Sequence, residues 1–84
     1  MENLAIAHEL LRQAREMAAR GENLYRVRAY RRAAAAMFGL DRPVGAVLEA
    51  EGLRGLRAVP GVGASLAVTM AELAGRVPVR AKAG

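Results

Sequence analysis

Apolar residues recur every three or four positions along most of this chain, and the stretches end on glycines: Gly21, Gly39, Gly52 and Gly75. That period puts the apolar side chains on one face of a helix, and a glycine just past the last periodic residue is a common helix stop. No segment shows the apolar–polar alternation of a half-buried strand, and no repeat at solenoid periods occurs. A chain of 84 residues has room for one core, not two. The expected fold is all-α, a compact bundle of four to five short helices.

The first helix is expected over 2–20, with Leu4, Ala7, Leu11, Ala14 and Ala18 as its stripe, widened by Leu10 and Met17. Its acids and bases cancel (Glu2, Glu9, Glu16 against Arg12, Arg15, Arg20), which reads as structural. Asn23 is placed to cap a second helix over 24–38, with Val27, Tyr30, Ala34, Met37 and Phe38 on its apolar side. Arg28 and Arg32 share the opposite side with Tyr25, and the run Ala33 to Ala36 permits close packing of a neighbouring helix. Pro43 opens a third helix whose inner edge is Val44, Val47 and Leu48, ended by Gly52. Leu53 to Val59 makes one or two turns, and a last helix over 64–74 buries Leu66, Ala67, Met70, Leu73 and Ala74 before Gly75 stops it. Residues 1–75 then form the domain, and 76–84 a basic, flexible tail.

Charge narrows the function classes. Net charge is +5, and twelve of the thirteen basic residues are arginine. Arginine suits bidentate phosphate contacts. A GC-rich coding sequence would also favour it, and nineteen alanines fit that cause equally well. Segment 22–38 is net +3 (four arginines against Glu22), 53–84 is net +4, and 39–52 is net −2, a poor phosphate-facing surface. There is no cysteine, hence no disulfide, thiolate metal site or cysteine nucleophile. His8 stands alone, without a carboxylate cluster, and is not expected to bind metal. No apolar run approaches the roughly 20 residues of a membrane span, and no signal-peptide layout opens the chain, so a cytoplasmic location is expected.

The corner Pro60-Gly61-Val62-Gly63, opening directly into a helix, is the most informative stretch for function. Glycines permit close approach, and the first amides of the following helix carry a partial positive charge and lack intrahelical acceptors. Such a corner can hold a phosphate without using a side chain. It is not a Walker-type loop, because Ala64-Ser65 stands where Lys-Ser/Thr would be needed, and Leu66 stands where a dinucleotide fingerprint needs its third glycine.

Leu56-Arg57-Ala58-Val59-Pro60-Gly61-Val62-Gly63-Ala64-Ser65-Leu66-Ala67 resembles a helix-hairpin-helix motif, a sequence-independent binder of the DNA backbone. The stretch from Gly21 to Ala34 is similar to the second helix of the N-terminal domain of family X DNA polymerases, the domain that carries lyase activity in DNA polymerase beta. This second resemblance spans about residues 4–79, and Gly75-Arg76-Val77-Pro78 looks like that domain's exit. It implies a DNA-binding module of DNA repair with gapped or nicked DNA among its candidate partners; the preferred DNA structure is not legible in the sequence. It implies phosphate contacts from the amides near Gly61, Gly63 and Ser65, with Arg26 and Tyr30 as further DNA contacts and Tyr25 stacking on a base; Ala64, Arg57, Arg28 and Arg32 are added as DNA-binding candidates from their own positions. It also implies a monovalent cation, K+ or Na+, held by the carbonyls of Arg57, Val59 and Val62.

Catalysis is not expected. Nucleotidyl transfer needs several metal-binding aspartates, and Asp41 is the one aspartate present. The lyase reaction needs an amine to form a Schiff base. The family's nucleophilic lysine falls at Thr69 and its phosphate-binding lysine at Ser65, leaving Lys82 and the α-amino group of Met1 as the only amines. Some readings stay open. Tyr30 fits either a core tyrosine with its hydroxyl at the rim or a DNA contact, and Arg28 and Arg32 fit either a solvated face or phosphate contacts. The rival to DNA binding is a protein-interaction or regulatory module on the same fold, since one hairpin contacts few phosphates and gains from a partner protein or a second copy. Oligomeric state is not legible in the sequence.

Overall fold

A computed structural model describes the backbone of residues 3–83 and the side chains of residues 3–75. Four helices follow in order: α1 (Asn3–Ala19), α2 (Leu24–Gly39), α3 (Val44–Arg57) and α4 (Ala64–Ala83). No strand occurs among the described residues. The fold is the all-α bundle expected. α1 packs along α2 and α3 along α4, and the two pairs join where α4 meets both α1 and α2.

The turns explain the joints. Gly21 takes φ 73°, the left-handed conformation that ends α1, and the Glu22 N–H closes the end by donating to the Met17 carbonyl at 2.9 Å. Asn23 then caps α2, its Oδ1 accepting from the Tyr25 N–H at 2.7 Å. α3 has no cap of its own, because Pro43 precedes it. Asn3 supplies one from the start of α1: its Oδ1 accepts from the Val44 N–H (2.8 Å) while its Nδ2 donates to the Arg42 carbonyl (2.6 Å). This long-range cap ties the two helical pairs together.

Gly52 breaks α3 with φ 68° and ψ −162°, so Leu53 to Arg57 is a separate short helical segment, as its sequence predicts. The doubled chain is tight just past the break. A Cβ built on Gly55 would lie 2.6 Å from the Glu51 Cβ and 2.9 Å from a Val47 methyl.

One core holds the bundle: Ile6, Leu10, Met17, Val27, Met37, Val44, Val47, Leu56, Met70 and Leu73 are buried around the packed alanines Ala7, Ala14, Ala33, Ala34 and Ala67. Three expectations need correcting. On α1 the buried row is Ile6, Ala7, Leu10, Ala14 and Met17, while Leu4 and Ala18 are exposed and Leu11 is only half-buried. α1 carries two adjacent apolar rows, and α2 covers only one. Phe38 is 57% exposed, standing at the outer edge of α2 against His8 instead of inside. Gly75 does not stop the last helix, which runs to Ala83; a helical glycine costs about 1 kcal/mol, a penalty rather than a block. Met1, Glu2 and Gly84, and the side chains of Arg76, Arg80 and Lys82, lie outside the described residues. No helix among the described residues is long and apolar enough to cross a membrane.

Candidate nucleic-acid interface

The corner between α3 and α4 is a type II turn, and its sequence dictates it. Pro60 fixes φ at the first central position, and Gly61 takes the positive φ (91°) that the second requires. The turn closes with the Val62 N–H donating to the Val59 carbonyl at 3.0 Å. Val62 points inward and is buried, pinning the turn to the core, while Gly61, Gly63, Ala64 and Ser65 stay exposed. Gly63 immediately precedes α4, its carbonyl accepting from the Ala67 N–H at 2.9 Å. The first amides of α4 therefore emerge at an exposed corner, where the helix geometry gives them no intrahelical acceptor.

The turn is seated on α2. A Cβ built on Gly61 would come within 3.4 Å of the Arg32 carbonyl oxygen and 3.9 Å of the Ala36 Cβ, and Ala29, Arg32, Gly61, Gly63 and Ser65 line one cleft. Ala29 and Ala36 are small enough to let the hairpin backbone reach the helix. Their role was missed in the sequence, although Ala36 belongs to the alanine run that signals close packing. Tyr25, Ala29, Arg32 and Ala36 follow at i, i+4, i+7 and i+11, one row of α2, with Arg28 on the adjacent row. Tyr25 is 80% exposed, so its ring is open to a ligand. Arg28, Arg32 and Arg57 are exposed and make no ion pair among the described residues.

Gly63 differs from Gly61. It has no positive φ, and a Cβ built there would meet nothing within 4 Å. The fold does not require a glycine at 63; a phosphate approaching the backbone would.

Arg26 and Tyr30 go elsewhere. Tyr30 is buried, and both residues line a separate cleft with Arg12, Glu16, Arg20 and Glu22, on the α1 side of α2. That cleft is filled with charge pairs: Arg20 to Glu22 at 2.8 Å, Arg26 to Glu22 at 3.6 Å, and Arg12 to both Glu9 and Glu16. The hydrogen bonds that Arg12 donates to Glu9, then the charge of Glu16, hold the Arg12 guanidinium above its ordinary pKa. Carboxylates already satisfy these arginines, so this cleft offers a phosphate less than the hairpin face does.

A family model of the helix-hairpin-helix domain matches residues 1–75. The chain belongs to the helix-hairpin-helix domain family. Domains of this family generally bind DNA without sequence preference, which supports a DNA-binding module here. No curated protein and no solved structure matches the chain.

Proposed function

We propose that this helix-hairpin-helix chain is a non-catalytic module that grips the DNA backbone at gapped or nicked sites and serves DNA repair. The observation that carries the reading is the seating of Gly61 on α2 at Arg32. Gly63, Ala64 and Ser65 share a cleft with Arg32, and Tyr25 lies on the same row of α2 with Arg28 on the adjacent one. The amides and arginines take phosphates, and the tyrosine takes the face of an unpaired base, which a gap exposes and intact duplex does not. The resemblance of residues 21–34 to the family X polymerase domain is what points to repair.

The cation belongs to the same proposal. Arg57, Val59 and Val62 offer backbone carbonyls, hard oxygens of the kind that coordinate K+ or Na+. The Val59 carbonyl already accepts the Val62 N–H, which leaves it one lone pair, and the Arg57 carbonyl lies at the end of α3, where in-helix donors run out. A bound cation would add positive charge beside a phosphate.

Thr69 supports the absence of lyase activity. Its hydroxyl donates to the Ser65 carbonyl at 3.3 Å, one turn back along α4, and it has no amine to offer. Two measurements test the proposal. Fluorescence anisotropy with gapped, nicked and intact duplex DNA should rank the gapped substrate tightest. Borohydride treatment with a 5′-deoxyribose phosphate substrate should trap no adduct. Equal affinity for all three DNAs would overturn the gap preference, and an adduct at Lys82 or Met1 would overturn the non-catalytic reading.

A further inference from the structure

Phe38 lies two residues, about 200° of helical rotation, from Ala36, so it stands on the face of α2 turned away from the hairpin. On α1, Leu4, His8, Leu11 and Arg15 follow at i, i+4, i+7 and i+11 in one row, and on α2 Arg31, Ala35 and Phe38 follow at i, i+4 and i+7. The rings of His8 and Phe38 meet edge-on with centroids 6.3 Å apart, joining the two rows. The helices run antiparallel, so seven residues along each, about 10.5 Å, brings Arg15 and Arg31 to the same level. At the other end Leu4 shares a cleft with Leu40, Asp41 and Arg42, and Arg42 is already paired with Glu51 at 2.9 Å. Leu4 is 54% exposed and Phe38 57%. Arg15, Arg31 and Asp41 make no ion pair among the described residues. The stripe is acidic at one end, apolar in the middle and basic at the other.

A stripe in that order is its own complement. A two-fold axis near His8 and Phe38 lays apolar middle on apolar middle and sets Asp41 beside the partner's Arg15 and Arg31, at both ends at once. An acidic partner would match the Arg15 and Arg31 end and meet like charge at Asp41; a basic one would do the reverse. We propose that a second copy of this chain docks on the α1/α2 face, forming a two-fold dimer. The hairpins then lie on the outer sides of the pair, where two can engage one DNA molecule and strengthen binding without any new contact. The contact area follows from the elements: α1 has 17 residues. A face about 25 Å long and two helices wide buries about 500 Å² per copy, near the lower limit for specific association. The dimer is therefore expected to dissociate in the micromolar range.

Sedimentation equilibrium without DNA tests this independently of the DNA reading. Across concentrations from about 5 to about 500 µM, the range such a small interface implies, the mean mass should rise from 8.9 kDa toward twice that value. Phe38→Ser should hold the chain monomeric while circular dichroism stays helical. Asp41→Arg and Arg31→Asp should each weaken association about tenfold, and the two combined should recover affinity relative to either alone. A monomer at every concentration would overturn the proposal, as would a dimer indifferent to Phe38→Ser. Charge reversals without effect, or with additive losses, would overturn the two-fold pairing.

Discussion

Gly61 rests on the backbone of Arg32: a Cβ built on it would lie 3.4 Å from the Arg32 carbonyl oxygen. This contact fixes the hairpin against α2 and sets the exposed start of α4 beside Arg32, far away in the chain. Gly61→Ala should disturb it through the backbone: an L residue at φ 91° is strained, although the new methyl would make only an ordinary contact with Arg32. Urea denaturation should show a loss of about 1–2 kcal/mol, and DNA affinity should fall with the corner's geometry.

Of the glycines from Gly21 to Gly63, Gly55 is the tightest. Gly55→Ala forces a methyl into the Glu51 stem and Val47, at 2.6 and 2.9 Å before relaxation. The expected cost is about 1–3 kcal/mol. In a domain of this size each 1 kcal/mol lowers the melting temperature by roughly 4–8 °C, which a thermal scan resolves.

Asn3 caps α3 from across the bundle. Asn3→Ala removes both hydrogen bonds, to the Arg42 carbonyl and from the Val44 N–H. Chemical denaturation should register about 1–2 kcal/mol. Asn3→Asp keeps the acceptor for Val44 and should recover part of the loss.

Tyr25, Arg28 and Arg32 should matter to DNA and not to the fold. Tyr25→Ala removes an 80% exposed ring, so the melting temperature should hold while affinity for gapped DNA drops; a stacked base contributes about 1–3 kcal/mol. Arg28→Ala and Arg32→Ala should weaken all DNAs alike and each reduce the salt slope by about one. Arg42→Ala removes a surface ion pair to Glu51 (2.9 Å) on the acidic segment and should leave DNA affinity unchanged.

The type II turn was legible because Pro60 and Gly61 each permit little else, and Asn23 was legible as a cap because its side chain acts two residues away. What spans the chain was not. Ile6 and Leu4 are equally apolar neighbours, and only the position of α2 decides that Ile6 is buried and Leu4 exposed. Asn3 bonds to residues 39 and 41 positions away, beyond any local pattern. Arg26 and Arg32 look alike in sequence. Glu22 and the charges of α1 occupy one, whereas the hairpin claims the other. Phe38 carried an apolar signal that was real, but it marks the outer face of the bundle.

The central claim is that the α2-seated hairpin binds phosphates through exposed amides. It is tested most directly by the salt dependence of anisotropy-measured DNA affinity for the natural chain and Gly63→Val. A valine at 63 meets no atom beyond its chain neighbours within 4 Å of its Cβ, so the helical spectrum should be retained. The natural chain should bind with a log–log slope of about two to three per hairpin and a Kd of about 10⁻⁴ to 10⁻⁶ M near physiological salt. Gly63→Val should lose affinity at least tenfold, an effect of about 1.4 kcal/mol or more. A folded Gly63→Val chain that binds DNA as well as the natural one, or a natural chain that does not bind even at low salt, would contradict the account.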